Sequence, residues 1–219
     1  MIQGFIFDMD GTMVDNMMIH HRAWQIKLAE LGLMLSLEEV MYHCHGVNEE
    51  TIARLFGDNR FSLEERTKIS DEKEAHYRKV FEKDLKLIDG LDDFFLKTRE
   101  KNILMGVGTA ANQANVDFVL DTLNIRNLFK SVYHSGKVTK GKPDPEVFQK
   151  VAEEMGVEIE KCIVFEDSPT GAETARRAGC PTIIVTTTHK AQEFEKFPNV
   201  IRFIDDFRGL DLEEILKVV

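Results

Sequence analysis

Apolar positions along this chain change their period. Gly4-Phe5-Ile6-Phe7 is a short continuous apolar run, which predicts a buried strand. From Met17 to Leu31 the apolar positions Ile19, Ala23, Ile26 and Leu31 recur at helical spacing, and Gly32 is a stop. Ser36-Leu37-Glu38-Glu39 and Ser62-Leu63-Glu64-Glu65 read as capping boxes, the second opening a long charged helix that reaches about Lys86. Between them Asn48 is expected to cap a helix ending near Gly57. This block holds no convincing strand. From Leu87 the pattern alternates. Helices are predicted over 91–101, 112–123, 145–155, 171–178 and 212–218, the last running from Leu212 to Val218. Strands are predicted over 103–108, near 131–133, and over 162–165, 182–185 and 200–204. Alternating strands and helices imply a parallel sheet covered on both faces, interrupted after its first strand by a helical insertion.

Composition narrows the possibilities. The 219 residues are 43% hydrophobic, enough for a packed core. The net charge of -10 argues against a nucleic-acid or anionic-membrane partner, so neither is expected. Cys44, Cys162 and Cys180 are odd in number and far apart, which suits a reducing compartment. With no leader-like pattern and no run of membrane length, the expected location is cytoplasmic. A monomer is the expected state.

The candidate chemistry lies where strands end. The first strand runs into Asp8-Met9-Asp10-Gly11-Thr12. Alternate residues of an extended chain point the same way, so Asp8 and Asp10 can face one site. Paired carboxylates repel unless a cation or proton lies between them, and oxygen-only ligands point to a hard ion such as Mg²⁺. A solvated Asp-x-Asp-Gly turn is the plain alternative. A calcium EF-hand loop is excluded, because its glycine would be sixth and its twelfth position Glu, whereas Ile19 stands there. The second strand ends in Thr109-Ala110-Ala111, the third is followed by Lys140-Gly141-Lys142-Pro143-Asp144-Pro145, and the fourth ends in Glu166-Asp167-Ser168. In a parallel sheet these ends share one edge. Each has a bland reading: Thr109 as a helix cap, Lys142 as a solvated lysine, Glu166-Asp167 as an acidic helix start. Together they suit phosphoryl transfer, which needs charge neutralisation, hydrogen-bond donors, a carboxylate nucleophile and an acid–base partner.

In order and spacing, Asp8-Met9-Asp10-Gly11-Thr12, Thr109, Lys142 in Gly-Lys-Pro-Asp-Pro, and Glu166-Asp167-Ser168-Pro169-Thr170-Gly171 resemble the four motifs of the haloacid dehalogenase superfamily of phosphohydrolases. The resemblance implies an α/β fold: a Rossmann-like parallel sheet core from residues 1–14 and 88–219, and an inserted all-helical cap from 15–87. It implies Asp8 as nucleophile, Asp10 as general acid/base, and Thr109 and Lys142 as ligands of the transferring phosphoryl group. Mg²⁺ would be held by Asp8, Asp10, Asp167 and Glu166. Gly11, Thr12 and Ala110 are expected beside the substrate. The connecting segments near 15–16 and 87–90 are the expected hinges.

Within the insertion, the stretch Asp15–Trp24 is similar to the β-phosphoglucomutase branch, with His20 at the place of that branch's cap histidine. Gly46-Val47 and Lys79, in Tyr77-Arg78-Lys79, are similar as well. Glu49 departs from the pattern, since the branch has an Arg there that grips a distal phosphate. A carboxylate repels that anion or recruits a cation. His20, Glu49 and Lys79 are nonetheless expected to face substrate. The leading expectation is a Mg²⁺-dependent phosphatase of a small phosphorylated metabolite, acting through an aspartyl-phosphate. The alternatives are a β-phosphoglucomutase-type mutase, an inorganic pyrophosphatase, and a non-catalytic binding protein.

Overall fold

The computed structural model describes residues 1–217. The chain divides into two compact units, one of Met1–Asp15 with the chain from Lys86 onward, the other of Asn16–Leu85. In chain order, β1 (Gly4–Phe7) precedes four helices of the second unit, α1 (Met17–Glu30), α2 (Leu37–His43), α3 (Asn48–Phe56) and α4 (Leu63–Phe81). The first unit then continues with α5 (Leu91–Glu100), β2 (Leu104–Gly108), α6 (Gln113–Thr122), β3 (Ser131–Tyr133) and α7 (Glu146–Met155). It closes with β4 (Cys162–Glu166), α8 (Pro169–Ala178), β5 (Thr182–Val185), β6 (Val200–Ile204) and α9 (Leu212–Lys217). The expected extension of the last helix to Val218 lies outside the described residues. No helix among the described residues is long and apolar enough to cross a membrane.

The six strands are parallel in the order β3-β2-β1-β4-β5-β6. β1 is therefore central, and the winding direction reverses between β1 and β4. That switch point opens a crevice at the carboxyl ends of these two strands, where open α/β sheets hold their ligands. Phe7 pairs with Phe165 in register, so the residues that follow β1 lie beside the end of β4.

The two faces of β1 pack differently because its side chains alternate. Phe5 and Phe7 join an aromatic cluster with Phe94, Phe95, Phe165 and Phe207, and the Phe7 and Phe165 rings stack at 4.7 Å. Ile6 faces the other way, against Val147, Phe148 and Val151 of α7 and Ala175 of α8. Gly106 on β2 lets α7 come close. A Cβ there would lie 2.3 Å from Val151 Cγ1. This contact seats α7 and with it Phe148, which is fully buried.

In the helical unit both expected capping boxes form, at Ser36 with Glu39 and at Ser62 with Glu65. Trp24, Leu28, Val40, Cys44, Ile52 and Ile69 make its apolar core. Asn48 does not cap α3. Val47 takes that position, and Asn48 turns inward, its Nδ2 donating to Ser70 Oγ and Glu74 Oε1 at 2.9 and 2.8 Å. The segment expected as a hinge, 87–90, is bonded within the first unit. Ile88 N donates to Met13 O, Phe207 N donates to Asp89 O, and a Cβ on Gly90 would lie 2.6 Å from the Arg208 backbone nitrogen. The division between units falls earlier, at Leu85/Lys86.

The glycine contact between β2 and α7 generates a stability prediction. Gly106→Ala is expected to lower unfolding free energy by about 1–3 kcal/mol through overpacking. Urea denaturation checks this, and an unchanged midpoint would contradict it.

Candidate active site

Asp8 follows β1 directly, and its backbone N–H donates to Phe165 O at 2.9 Å, continuing the ladder. Its carboxylate is buried, as are those of Glu166 and Asp167. One oxygen from each lies within 4.8 Å of the others. The counterion is Lys142, whose Nζ donates to Asp8 Oδ1 and to Glu166 Oε1, both at 2.7 Å. The Lys142 ammonium also lies 4.6 Å from the centroid of the Phe148 ring. It is thus desolvated, apart from its two carboxylates, by an aromatic face that tolerates positive charge.

Glu166 is held from both sides. Its Oε2 accepts from the backbone N–H of Asp167 and Ser168 at 2.9 and 3.0 Å and from Ser168 Oγ at 3.0 Å. Ser168 Oγ in turn caps α8 by accepting from Gly171 N at 3.0 Å. Gly171 is required by close approach, since a Cβ there would lie 1.8 Å from the Glu166 carboxyl. Gly11 has φ +78°, and a Cβ there would lie 2.2 Å from Asp167 Oδ2. Two glycines therefore leave room for the acidic cluster.

Electrostatics divide the carboxyls. Burial is the largest influence on Asp8, and with Glu166 and Asp10 it outweighs Lys142, pushing the carboxyl up to about 7. Asp167 is raised well above the usual carboxylate range by burial, Glu166 and Asp8, against a hydrogen bond from the Thr188 hydroxyl. Burial acts on Glu166 in the same sense, but Lys142 and the backbone donors outweigh it and hold its pKa below the ordinary value. For Lys142, burial opposes the charge, yet Asp8 and Glu166 raise its pKa overall. Three buried carboxyls face one ammonium, so the cluster retains anionic character that a further cation would offset. Its donors are all oxygens, which fits a hard divalent ion at Asp8, Glu166 and Asp167.

The remaining expected residues fall into two groups. In the first unit, Asp10 is half-buried and close enough to raise the Asp8 pKa. Thr109, buried at the end of β2, accepts from Ala111 N at 3.1 Å, while Asn112 rather than Thr109 caps α6. Ala110 is exposed beside it. Thr12 is fully buried, and its Oγ1 has no hydrogen-bond partner among the described residues. In the helical unit, the His20 ring stacks on Tyr77 at 3.7 Å. Its Nδ1 lies 2.9 Å from the Nζ of Lys73, a buried residue, which also donates to Glu74 Oε1 at 2.8 Å. Lys79, expected to face substrate, is exposed. Lys73 and Tyr77 are four residues apart and share a face of α4, whereas Lys79 falls on another. Glu49 is half-buried at the start of α3.

Sequence reasoning stopped at four strand ends, and β5 supplies a fifth. Thr187 Oγ1 donates to the carbonyl of Gly11, and Thr188 hydrogen-bonds Asp167. The run Thr186-Thr187-Thr188 directly after an apolar strand was a legible signal of the same kind.

Fold and site define an α/β enzyme whose centre lies at the switch point of a parallel sheet. The chain matches the family described as haloacid dehalogenase-like hydrolase over residues 5–185. It is 31% identical over 185 residues to the fructose-1-phosphate phosphatase YqaB of Escherichia coli K12, a match covering 83% of this chain and 95% of that one. A family IA, variant 3 hydrolase from Entamoeba histolytica has a similar structure, with a TM-score of 0.90 at 26% identity and 99% of both chains covered. A β-phosphoglucomutase from Clostridium difficile gives a TM-score of 0.85 at 25% identity, covering 100% of this chain and 97% of that one. The chain belongs to the haloacid dehalogenase-like hydrolases, in the branch that includes β-phosphoglucomutase.

The ion cluster predicts a pH-dependent defect. In chelator, Lys142→Met is expected to destabilise the fold by about 3–5 kcal/mol at pH 8, because it strands buried carboxylates. The loss shrinks at pH 5, below the value of about 7 at which Asp8 takes up its proton. Urea unfolding at both pH values measures this, and equal losses would contradict the assignment.

Proposed function

We propose that this protein is a Mg²⁺-dependent phosphatase that hydrolyses a small phosphorylated sugar through an aspartyl-phosphate at Asp8. The observation that carries this reading is the buried Asp8–Lys142–Glu166 bridge at the sheet's switch point, with Asp167 beside it. The sugar-phosphate class is supported by the relative at 31% identity, a fructose-1-phosphate phosphatase.

Each residue has a step to perform. Asp8 attacks phosphorus with a carboxylate oxygen, and the bond from phosphorus to the sugar oxygen breaks. Asp10 gives its proton to that leaving oxygen. A water then attacks the phosphorus of the acyl phosphate, Asp10 takes the water's proton, and the bond to Asp8 breaks to release phosphate. Lys142 holds charge against the transferring group and reduces its repulsion from Asp8. The hydroxyl of Thr109 and the backbone around Gly11 and Ala110 are suited to donate to the phosphoryl oxygens. Asp8, Glu166 and Asp167, with the Asp10 carbonyl, are the residues to hold Mg²⁺. When bound, the ion supplies Lewis-acid neutralisation of the phosphoryl charge.

A mutase is the second reading, favoured by the similarity to β-phosphoglucomutase. It requires that a sugar hydroxyl rather than water accept the phosphoryl group. Glu49, where that branch has an Arg, weighs toward the phosphatase.

Phosphorus NMR in Mg²⁺ separates the two, using fructose 1-phosphate, β-glucose 1-phosphate with a trace of bisphosphate primer, and pyrophosphate. Growth of inorganic phosphate from a sugar phosphate is expected. Glucose 6-phosphate growing without inorganic phosphate would overturn the preference. Asp8→Asn is expected to lower kcat on the order of 10⁴-fold or more, and Asp10→Asn by roughly 10²–10⁴-fold. Full turnover in Asp8→Asn would contradict the mechanism.

Cation binding is expected to be linked to pH. Asp8 titrates near 7 in the metal-free fold against an ordinary 3.8. The stability that its proton contributes is present at low pH and lost as pH rises through about 7. A cation held by the ionised Asp8 would compete with that proton, so Mg²⁺ should raise Tm more at pH 8 than at pH 5. Thermal melts with Mg²⁺ and with chelator test this, and a larger shift at pH 5 would contradict it.

A further inference from the structure

We propose that Glu146, the first residue of α7, is the positioning residue for Lys142, a role that rests on the phosphatase reading above. Lys142 lies in the segment between β3 and α7, and that segment is tied down from one side chain. Both carboxylate oxygens of Glu146 accept from Thr139 N at 3.0 Å. Oε2 also accepts from Thr139 Oγ1 at 2.7 Å and from Lys140 N at 2.9 Å. These bonds hold the Glu146 pKa below its ordinary value, the Thr139 hydroxyl having the largest influence.

Two further links close the turn from inside. Glu146 N donates to Asp144 Oδ1 at 3.1 Å, and Asp144 N donates to Gly141 O at 3.0 Å. The chain thus passes 139–140, loops through Lys142 and reaches α7's first residue, whose carboxylate fastens it back at 139–140. Lys142 sits at the middle of that closed turn. Its side chain is 7% exposed, whereas that of Lys140, two residues earlier, is 73% exposed.

The geometry is economical in residues. From α7, Glu146 fixes the loop's backbone and Phe148 lies under the ammonium that the loop delivers. Glu146 bonds the loop backbone rather than the reacting carboxylates, so it acts through Lys142. Without the tie, residues 139–141 gain backbone freedom, and the ammonium no longer has one position between two carboxylates. Displacement of a reacting group by about 1 Å can cost on the order of 100-fold in rate.

Two readouts on the full chain test the proposal. The first is competitive acylation of lysines with acetic anhydride, read by peptide mass spectrometry. In the wild type Lys142 is expected to react slowly relative to Lys161, a half-exposed lysine just before β4 that neither Glu146 nor Glu153 pairs with. In Glu146→Ala the relative rate at Lys142 should rise severalfold. In Glu146→Gln, which keeps the length and one acceptor oxygen, it should lie between. Glu153→Ala, which removes an exposed ion pair on the same helix, should leave it unchanged. The second readout is kinetic: kcat should fall by roughly 10–100-fold in Glu146→Ala with partial recovery in Glu146→Gln, while the Mg²⁺ concentration for half-maximal rate stays constant. A folded Glu146→Ala protein with wild-type protection of Lys142, or with Lys142 exposed but kcat unchanged, overturns the proposal. If the wild type hydrolyses no phosphate ester, the phosphatase reading fails, and wild-type protection in Glu146→Ala still overturns the tie.

Discussion

One buried ammonium between carboxylates governs the catalytic unit. Lys142 donates to Asp8 and Glu166 at 2.7 Å each, with Asp167 close by. Such a cluster is unfavourable to bury unless every partner is held in place, because each ion has lost its water. The surroundings meet that demand unequally. Glu166 takes three donors from the start of α8 and stays charged, whereas Asp8 and Asp167 are left with pKa values raised by burial and mutual repulsion. On the proposed reading, a divalent cation would offset the negative charge that the protein leaves uncompensated.

The fold is arranged so that this cluster forms at one place. β1 and β4 are neighbours at the reversal of the winding, so Asp8 and Glu166 emerge side by side. β2 carries glycine where α7 presses down, and α7 brings both the loop anchor Glu146 and the Phe148 ring. β5 adds threonines that fasten the Gly11 turn and Asp167. β1, β2, β4 and β5 contribute through residues at or just past their ends, where side chains are free of the ladder yet fixed by it.

Much of this was legible because its signals are local. Capping boxes depend on residues three apart, and both formed as read. Apolar runs ending in Asp, Thr or Glu marked the strand ends and the edge that they share. What escaped depends on helix phase or on distant partners. Lys73, which nothing in the sequence marked, is the lysine of α4 that reaches His20. Asn48 has the composition of a cap, yet Ser70 and Glu74, brought near by α4, compete for its amide. Glu146 went unmarked inside the helix expected over 145–155, because its acceptors face backbone N–H groups seven and six residues back. The close packing at Gly90 also escaped, because the segment that lies against it comes more than a hundred residues later.

The most direct test is chemical trapping of the phosphorylated enzyme. The protein would be mixed with Mg²⁺ and a phosphate ester that it turns over, quenched in acid within one turnover, digested and mapped by mass. A phosphoryl group on the peptide containing Asp8, absent from Asp8→Asn, is the result that this account predicts. Turnover with no phosphoryl group on Asp8 at any quench time, or with the label on another residue, would contradict it.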